Sequence, residues 1–317
     1  PEPDGQPRLA RETVISLGSP WQAYEKAEPA FRIMYKALDL SERVYEDVGV
    51  DRAWTSRPKR IAISQSQADN KLATVSLQKL LLAALPETDI QARHTSCAVV
   101  GNSGNVLLSS FGPSIDAHDA VFRINGGSMD EVFQEHVGSK TTYRLLNNEW
   151  THRTSARQGS TAGDEPLVLF DSRALPAMLE LANGTSASHR PVYFLSPELL
   201  EWATQTYANI SNALHQSGIL RVPAEHNAPP TGWIALAMAT SLCDEVNVYG
   251  FSSPVPDETP NHYSDLGTPV PAHNFRAQSF VLKLLERKHS AAISICLQYF
   301  SSPRCHLSRD RLRFSNQ

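Results

Sequence analysis

The chain has 317 residues, 41% hydrophobic and 20% charged, which is enough apolar material for one large core or two smaller ones. A net charge of −4 offers no general attraction to a polyanion, so nucleic acid is not the expected partner. No apolar run approaches the ~18–20 residues that span a bilayer. The opening PEPDGQPR has neither an initiator methionine nor a signal-peptide pattern and reads as a mature or trimmed terminus, so any membrane contact would run through an anchor outside this chain.

Residues 1–20 are polar, rich in Pro and Arg and without periodicity, as expected of a tail. Helical spacing follows over 21–48, where Trp21, Tyr24, Ala27, Phe31, Met34, Tyr35 and Leu38 recur on one face. Residues 51–69 read as a polar linker. Residues 70–85 read as an amphipathic helix carrying Leu72, Val75, Leu77, Leu80, Leu81 and Leu82. From residue 97 short apolar runs alternate with helical patterns. Strands are expected over 97–101, 119–124, 141–146, 166–171, 191–195, 245–250 and 290–297, and helices over 104–111, 174–183, 197–217, 232–243 and 274–288. This alternation predicts an α/β, Rossmann-like, mostly parallel sheet flanked by helices on both faces. Residues 151–164 and 252–272 read as surface loops.

Within that order, the run Cys97-Ala98-Val99-Val100 breaks into Gly101-Asn102-Ser103-Gly104-Asn105. A strand that ends in small and amide residues before a helix is how α/β proteins build a nucleotide cradle. Glycine lets the backbone approach a ligand, and neutral amides and hydroxyls can read a base or sugar edge. A second run, Ala120-Val121-Phe122, ends in Arg123-Ile124-Asn125, so two strand tips carry amides beside one crevice. Pro229-Pro230-Thr231-Gly232-Trp233 leads into the apolar run Ile234–Ala239, with Thr231 expected as N-cap of a helix whose free N–H groups would favour an anion. After a turn, Val246 and Val248 would sit in a buried strand that Gly250 ends near the same crevice.

His262 and His273 fall in the loop region before the last long helix, and beside an anion site they suggest a base and a phosphate partner. His118, between Asp116 and Asp119, is expected to organise its own turn. The cysteines Cys97, Cys243, Cys296 and Cys305 contain no CxxC pair, so no metal site is expected, and their spacing alone leaves three disulfide pairings or buried free thiols. Two sequons, Asn183-Gly184-Thr185 and Asn209-Ile210-Ser211, tilt the reading toward a secretory compartment.

Together these residues resemble the animal-type sialyltransferases. Cys97–Asn125, continuing through Gly138-Ser139-Lys140-Thr141-Thr142, is similar to the family's long sialylmotif, and Pro229–Phe251, with LCDEVxVYGF, to the short one. His262-Tyr263-Ser264-Asp265 resembles the third motif and His273 the histidine of the very short motif. The resemblance implies a GT-A-like single domain over 21–317, with a helical part over 21–90, a motif core over 94–300 and a stem remnant over 1–20. It implies a luminal Golgi enzyme of type II topology that moves sialic acid from CMP-sialic acid to a glycan hydroxyl, a galactoside for preference, without metal or other cofactor. It selects a Cys97–Cys243 disulfide and leaves Cys296 and Cys305 to pair. By the same resemblance Asn102, Ser103, Asn125, Thr231, Gly232, Gly250 and Tyr263 hold the donor, His262 stabilises the leaving phosphate and His273 is the general base.

Several positions depart from the family pattern. Gln278 stands five residues after His273 where the family has Glu, His136 where Asp is frequent, Ser252 where Gly is common, and Pro230 where Ser or Thr is usual. They mark a remote branch, for which CMP-Kdo, another CMP-activated keto-sugar, is an alternative donor and a catalytically weak or silent CMP-sugar-binding protein an alternative role. An unrelated nucleotide-binding α/β enzyme finds no support, because GNSGN is not GxGxxG and no Walker lysine follows.

Overall fold

A computed structural model of the chain describes residues 57–64, 85–156, 164–184, 190–218, 229–251, 262–264, 278, 282, 285–286 and 292–296. The tail, the helices expected over 21–48 and 70–84, His273, Cys305 and most of 252–272 lie outside the described residues.

The described residues are organised on one eight-stranded sheet. Its strands are β1 (Ala62–Ile63), β2 (His94–Val100), β3 (Ala120–Ile124), β4 (Tyr143–Leu146), β5 (Leu167–Leu169), β6 (Val192–Leu195), β7 (Cys243–Tyr249) and β8 (Ile293–Cys296). They lie in the order β1-β6-β5-β4-β3-β2-β7-β8. Every pairing is parallel except β1 with β6. From β2 the chain first builds outward through β3 to β6, then crosses back to add β7 and β8 on the other side of β2. The sheet therefore changes direction between β2 and β7. The mouth of such a switch point, at the carboxyl ends of the strands, is where α/β sheets bind ligands.

The strands are mostly apolar because both faces are covered, with Arg123, Arg144 and Asn247 as polar exceptions. Successive side chains alternate between faces. Cys97 and Val99 of β2 join one core with Phe122, Leu145, Val168, Val246 and Ile293. Ala98 and Val100 join the opposite core with Val121, Phe133, Tyr249 and Tyr263. A third cluster, around Leu146, Leu169 and Met178, extends that second face toward β6.

Helices α1 (Gly112–Asp116) and α2 (Glu131–Val137) supply the second face, where Ile115, Phe133 and Val137 are buried. The others are α3 (Asn148–Ala156), α4 (Leu175–Gly184), α5 (Pro197–Gln216) and α6 (Thr231–Leu242). In α5 the period-3.6 stripe Leu199, Ala203, Tyr207, Ile210 and Leu214 faces the first core, and Ser196 caps its N-terminus by accepting from Leu199 N–H at 3.2 Å. All twelve residues of α6 are buried, as an all-apolar helix must be. It packs against α5, where Trp233 donates its indole N–H to the Ala203 carbonyl at 2.7 Å. Its last carbonyls, Thr240 and Ser241, each accept from a guanidinium at 2.6 Å, those of Arg57 and Arg93.

Several sequence expectations change. Residues 62–63 of the expected linker form edge strand β1, held by Asp89, whose carboxylate accepts from the Ile61, Ala62 and Ile90 amides. The helix expected over 104–111 is a 3₁₀ turn at Gly104–Leu108 followed by α1, because Pro113 starts a new helix at its N1 or N2 position. Residues 151–156 of the expected loop belong to α3, and α2 was not foreseen. No turn separates α6 from β7: Leu242 ends the helix and Cys243 already has extended backbone. The second sequon lies, as the helix expected over 197–217 implies, inside α5, with Asn209 exposed and Ser211 buried.

Cys97 and Cys243 form a disulfide with Cα atoms 6.1 Å apart. Cys296 is also disulfide-bonded, and Cys305, its expected partner, lies outside the described residues. The Cys97–Cys243 bridge joins two strands that are already hydrogen-bonded neighbours, linking the middle of β2 to the first residue of β7. Gly101 lies four residues beyond Cys97, about 13 Å up the strand. The bridge thus fastens the central strands below the crevice, not the crevice walls.

Candidate functional site at the carboxyl edge of the sheet

Three strand tips and one helix start meet at the switch point. α6 runs antiparallel to the strand that directly follows it, so its N-terminus returns to the edge where β2, β3 and β7 end. Gly232 confirms this meeting. A Cβ there would lie 2.5 Å from the Phe251 ring and 3.2 Å from Gln278 Nε2, so only glycine fits.

The tips of β2 and β7 are joined through two glycines. Gly101 N–H donates to Tyr249 O at 2.7 Å and Ser103 N–H to Gly250 O at 3.1 Å. Gly250 has φ +65, the left-handed region, and a Cβ on Gly101 would sit 2.4 Å from its carbonyl oxygen. The two backbones touch with no room for a side chain, which brings Asn102 next to the β7 tip. The Ser103 hydroxyl faces the Asn105 amide at 3.5 Å, so it shapes the turn.

Asn102 anchors the site laterally. Its Nδ2 donates to Ile124 O at 3.0 Å at the tip of β3, and its carbonyl accepts from Tyr263 N–H at 2.8 Å. Tyr263 is fully buried, stacks edge-on against Phe133 and donates its hydroxyl to Ser128 O at 2.6 Å. This brings half-buried His262, adjacent in sequence, to the same edge.

Asn125 is the non-glycine residue among those described with positive φ, at 52°. Such backbone in a non-glycine residue persists only where the surroundings fix it, and such positions gather at functional sites. Its N–H donates to Leu145 O at 2.7 Å and its Oδ1 accepts from Asn147 N–H at 3.1 Å.

Thr231 is not the N-cap. Pro230 occupies that position with extended backbone, its carbonyl accepts from Trp233 N–H at 2.9 Å, and no side chain caps the helix. Thr231, 9% exposed, is the first helical residue. The first-turn amides of Thr231 and Gly232 thus have no side-chain cap, the arrangement that suits an anion. Gln278, 3% exposed, packs beside that turn as a neutral amide.

His118 reaches beyond its own turn. Its Nε2 hydrogen-bonds the Tyr249 hydroxyl at 3.0 Å and faces the Asn247 amide at 3.4 Å, both on β7. Burial pulls its pKa down to about 4, with Asp119 opposing and Lys140 assisting. His136, a departure from the family pattern, lies in the last turn of α2, where its Nδ1 bonds the Ser109 carbonyl.

Sequence reasoning missed Arg123, Arg144 and Asn147. Arg123, 1% exposed, donates to Val137 O, Lys140 O and Thr141 Oγ1. Burial lowers its pKa to about 10; Tyr263, Asp116 and Glu165 oppose that and Arg144 assists it, so it remains a cation at neutral pH. A charged residue inside an apolar strand was the available signal for both arginines. Asn147, an amide just past the tip of β4, repeats the pattern of Asn102 and Asn125 one strand further along.

A switch-point crevice lined by glycine, amides and an uncapped helix N-terminus is the place where α/β proteins bind ligands. The profile of glycosyltransferase family 29 (sialyltransferase) matches residues 51–290, and the chain belongs to that family. Sialyltransferase-like protein 5 of Oryza sativa subsp. japonica is 31% identical over 211 residues, 66% of this chain and 38% of the relative. A β-1,6-galactosyltransferase of Arabidopsis thaliana is 26% identical over 216 residues, 63% of this chain and 52% of the relative. The chain thus spans about half or less of the curated relatives named here. Among solved structures, a mammalian sialyltransferase in complex with Gal-β-1,3-GalNAc-ortho-nitrophenol shares the fold at TM-score 0.50 and 22% identity, covering 74% of this chain and 84% of that one.

Proposed function

We propose that this chain is the catalytic part of an inverting, metal-independent glycosyltransferase that moves sialic acid from CMP-sialic acid to a hydroxyl of a galactoside glycan. The observation that carries the reading is the meeting of Asn102, the left-handed Asn125, Gly250 and the uncapped start of α6 at one switch point. Family membership supplies the reaction class.

In this reading Asn102 and Asn125 hold the ribose and phosphate region of CMP, with Ser103 and Tyr263 shaping that wall. Thr231 and Gly232, at the helix start, hold the cytidine or phosphate side, and Gly250 lines the pocket. The donor carries a phosphate leaving group on a tertiary anomeric carbon, so the transition state is oxocarbenium-like. His273 takes the proton from the acceptor hydroxyl as its oxygen bonds the anomeric carbon and the bond to CMP breaks. His262 and the helix N-terminus offset charge on the departing phosphate, while Tyr263 holds the wall in place. One displacement inverts the centre, and no enzyme nucleophile is needed. The Cys97–Cys243 disulfide favours an oxidising, luminal compartment such as the Golgi.

A second reading rests on the relative named as a galactosyltransferase: the same edge could hold an activated galactose. CMP-Kdo transfer, and CMP-sugar binding without turnover, stay as readings that the buried Gln278 motivates.

Nucleotide release separates these readings. The protein is incubated with CMP-sialic acid, CMP-Kdo or UDP-galactose and a β-galactoside, beside His273→Ala. The expected result is CMP release from CMP-sialic acid and a loss of about 10²-fold or more in the variant. UDP release alone would move the assignment to galactosyl transfer, and CMP release from CMP-Kdo alone to Kdo transfer. CMP binding without turnover of any donor would leave a binding protein, and equal activity of His273→Ala would remove the assigned base.

A further inference from the structure

Arg144 lies on β4 beneath the proposed donor edge and belongs to none of the residues assigned there. Its side chain is 12% exposed and its Nε meets Glu165 Oε1 at 2.6 Å, the Glu165 side chain being 11% exposed. Nη1 donates to Asn125 O at 2.8 Å and Gly127 O at 3.3 Å. One guanidinium nitrogen thus spans the turn that carries Asn125.

The same turn is held from two other directions. Asn102 Nδ2 takes Ile124 O and the Tyr263 hydroxyl takes Ser128 O. Four carbonyls of the five-residue stretch 124–128 therefore accept from side chains of three separate segments. Two of those donors are neutral; Arg144 is the charged one, and charge-assisted bonds are about twice as strong as neutral ones. Gly127 is clamped so closely that a Cβ would lie 2.6 Å from Asn102 Oδ1 and 3.0 Å from the Tyr263 hydroxyl. Arg144 holds the left-handed residue's own carbonyl and that of Gly127 two residues on, and Glu165 fixes the guanidinium from its Nε side. A lysine offers no planar fork to satisfy a carboxylate and two carbonyls at once.

We infer that Arg144, oriented by Glu165, is a positioning residue: it sets the left-handed turn at Asn125 and thereby the affinity for the donor nucleotide. The inference rests on the donor-site reading of Asn125.

The test uses the full chain with Arg144→Gln, Arg144→Lys and Glu165→Gln, and three separate readouts, one of them the donor and acceptor KM from initial rates. CMP titration by calorimetry reads the donor site. Hydrogen exchange at the Asn147 amide, which Asn125 Oδ1 accepts from, reads the turn without any ligand. Arg144→Gln is expected to weaken CMP binding tenfold or more, raise the donor KM with the acceptor KM unchanged, and speed Asn147 exchange tenfold or more. Arg144→Lys is expected to recover part of each effect; it also serves as the test variant should the glutamine variant fail to fold. Glu165→Gln is expected to produce a smaller change in the same direction. Unchanged Asn147 exchange and CMP affinity in folded Arg144→Gln or Arg144→Lys would overturn the role of Arg144 while leaving the donor site standing. Failure of the unsubstituted chain to bind CMP would overturn the donor-site reading and, with it, the ligand assigned to this device.

Discussion

Asn125 holds φ 52 because four neighbours close on its turn, not because asparagine prefers that backbone. Alanine there would keep the unfavourable φ and lose the acceptor for Asn147 N–H, a combined cost of about 1–3 kcal/mol. Glycine would relieve the backbone and lose only the hydrogen bond. Urea denaturation is therefore expected to rank wild type, Asn125→Gly and Asn125→Ala in falling stability, while CMP titration shows both variants weakened. An alanine variant as stable as the glycine one would show that the turn carries no strain. His118 makes a different prediction, in pH. Its folded pKa is about 4 because burial disfavours the charged ring, against about 6.5 for a free histidine. Between those values the unfolded chain binds a proton that the native chain refuses, so stability present above pH 6.5 is lost as pH falls toward 4. The loss from this residue is up to about 3 kcal/mol. Chemical denaturation at several pH values is expected to show a shallower dependence over that window for His118→Gln than for the unsubstituted chain, and parallel curves would remove His118 from the account.

At the scale of elements, legibility follows burial. β2 to β8 could be read from the chain because their apolar residues feed the cores on the two faces, although Arg123, Arg144 and Asn247 interrupt β3, β4 and β7. α5 could be read from its period-3.6 stripe. β1 could not: it is two residues long and an antiparallel edge, held by hydrogen bonds from its neighbours and not by a pattern of its own. α3 carries NEWTHRTSA and buries only Thr151 and Ser155, so no stripe announces it. It is nucleated instead by Asn147, whose Oδ1 accepts from Trp150 N–H at 2.9 Å. The site divides the same way. Gly101, Asn102, Asn125 and Gly250 stand at strand tips and could be found from position. Arg144 lies mid-strand and acts through carbonyls that no local pattern reveals. The joint of β2 and β7 offers the sharpest element-level test. Gly101→Ala would press a methyl 2.4 Å from Gly250 O and 2.8 Å from the Phe251 ring. Both strand tips must then separate, at an expected cost of about 2–4 kcal/mol. CMP affinity is expected to fall with it, because Asn102 moves with the β2 tip. A variant with unchanged melting temperature and CMP affinity would show that the joint yields freely.

For the whole molecule, the Cys97–Cys243 bridge closes a loop with sequence separation 146, which contains β3 to β6 and α1 to α6. On the chain-entropy account a loop of that length contributes about 5 kcal/mol by restricting the unfolded chain, and natural bridges typically deliver about 2–5 kcal/mol. Tying one wall of the proposed donor crevice to the other is a separate task. The fold assigns that task to Gly101 and Gly250, whose backbones meet directly at the carboxyl edge, while the bridge lies below it, between the middle of β2 and the start of β7. Stability and binding should therefore separate. Cys97→Ala/Cys243→Ala is expected to lower the unfolding free energy by about 3–5 kcal/mol. At a temperature well below its melting point, the folded variant should bind CMP within about twofold of the unsubstituted chain, since β2 and β7 remain paired through six parallel register positions from His94–Cys243 to Val100–Tyr249. Paired denaturation and calorimetry decide the matter. A folded double variant that keeps its stability but loses CMP affinity would return the bridge to the crevice wall, and would mean that the strand register above Cys97 depends on the sulfur link instead of on the sheet.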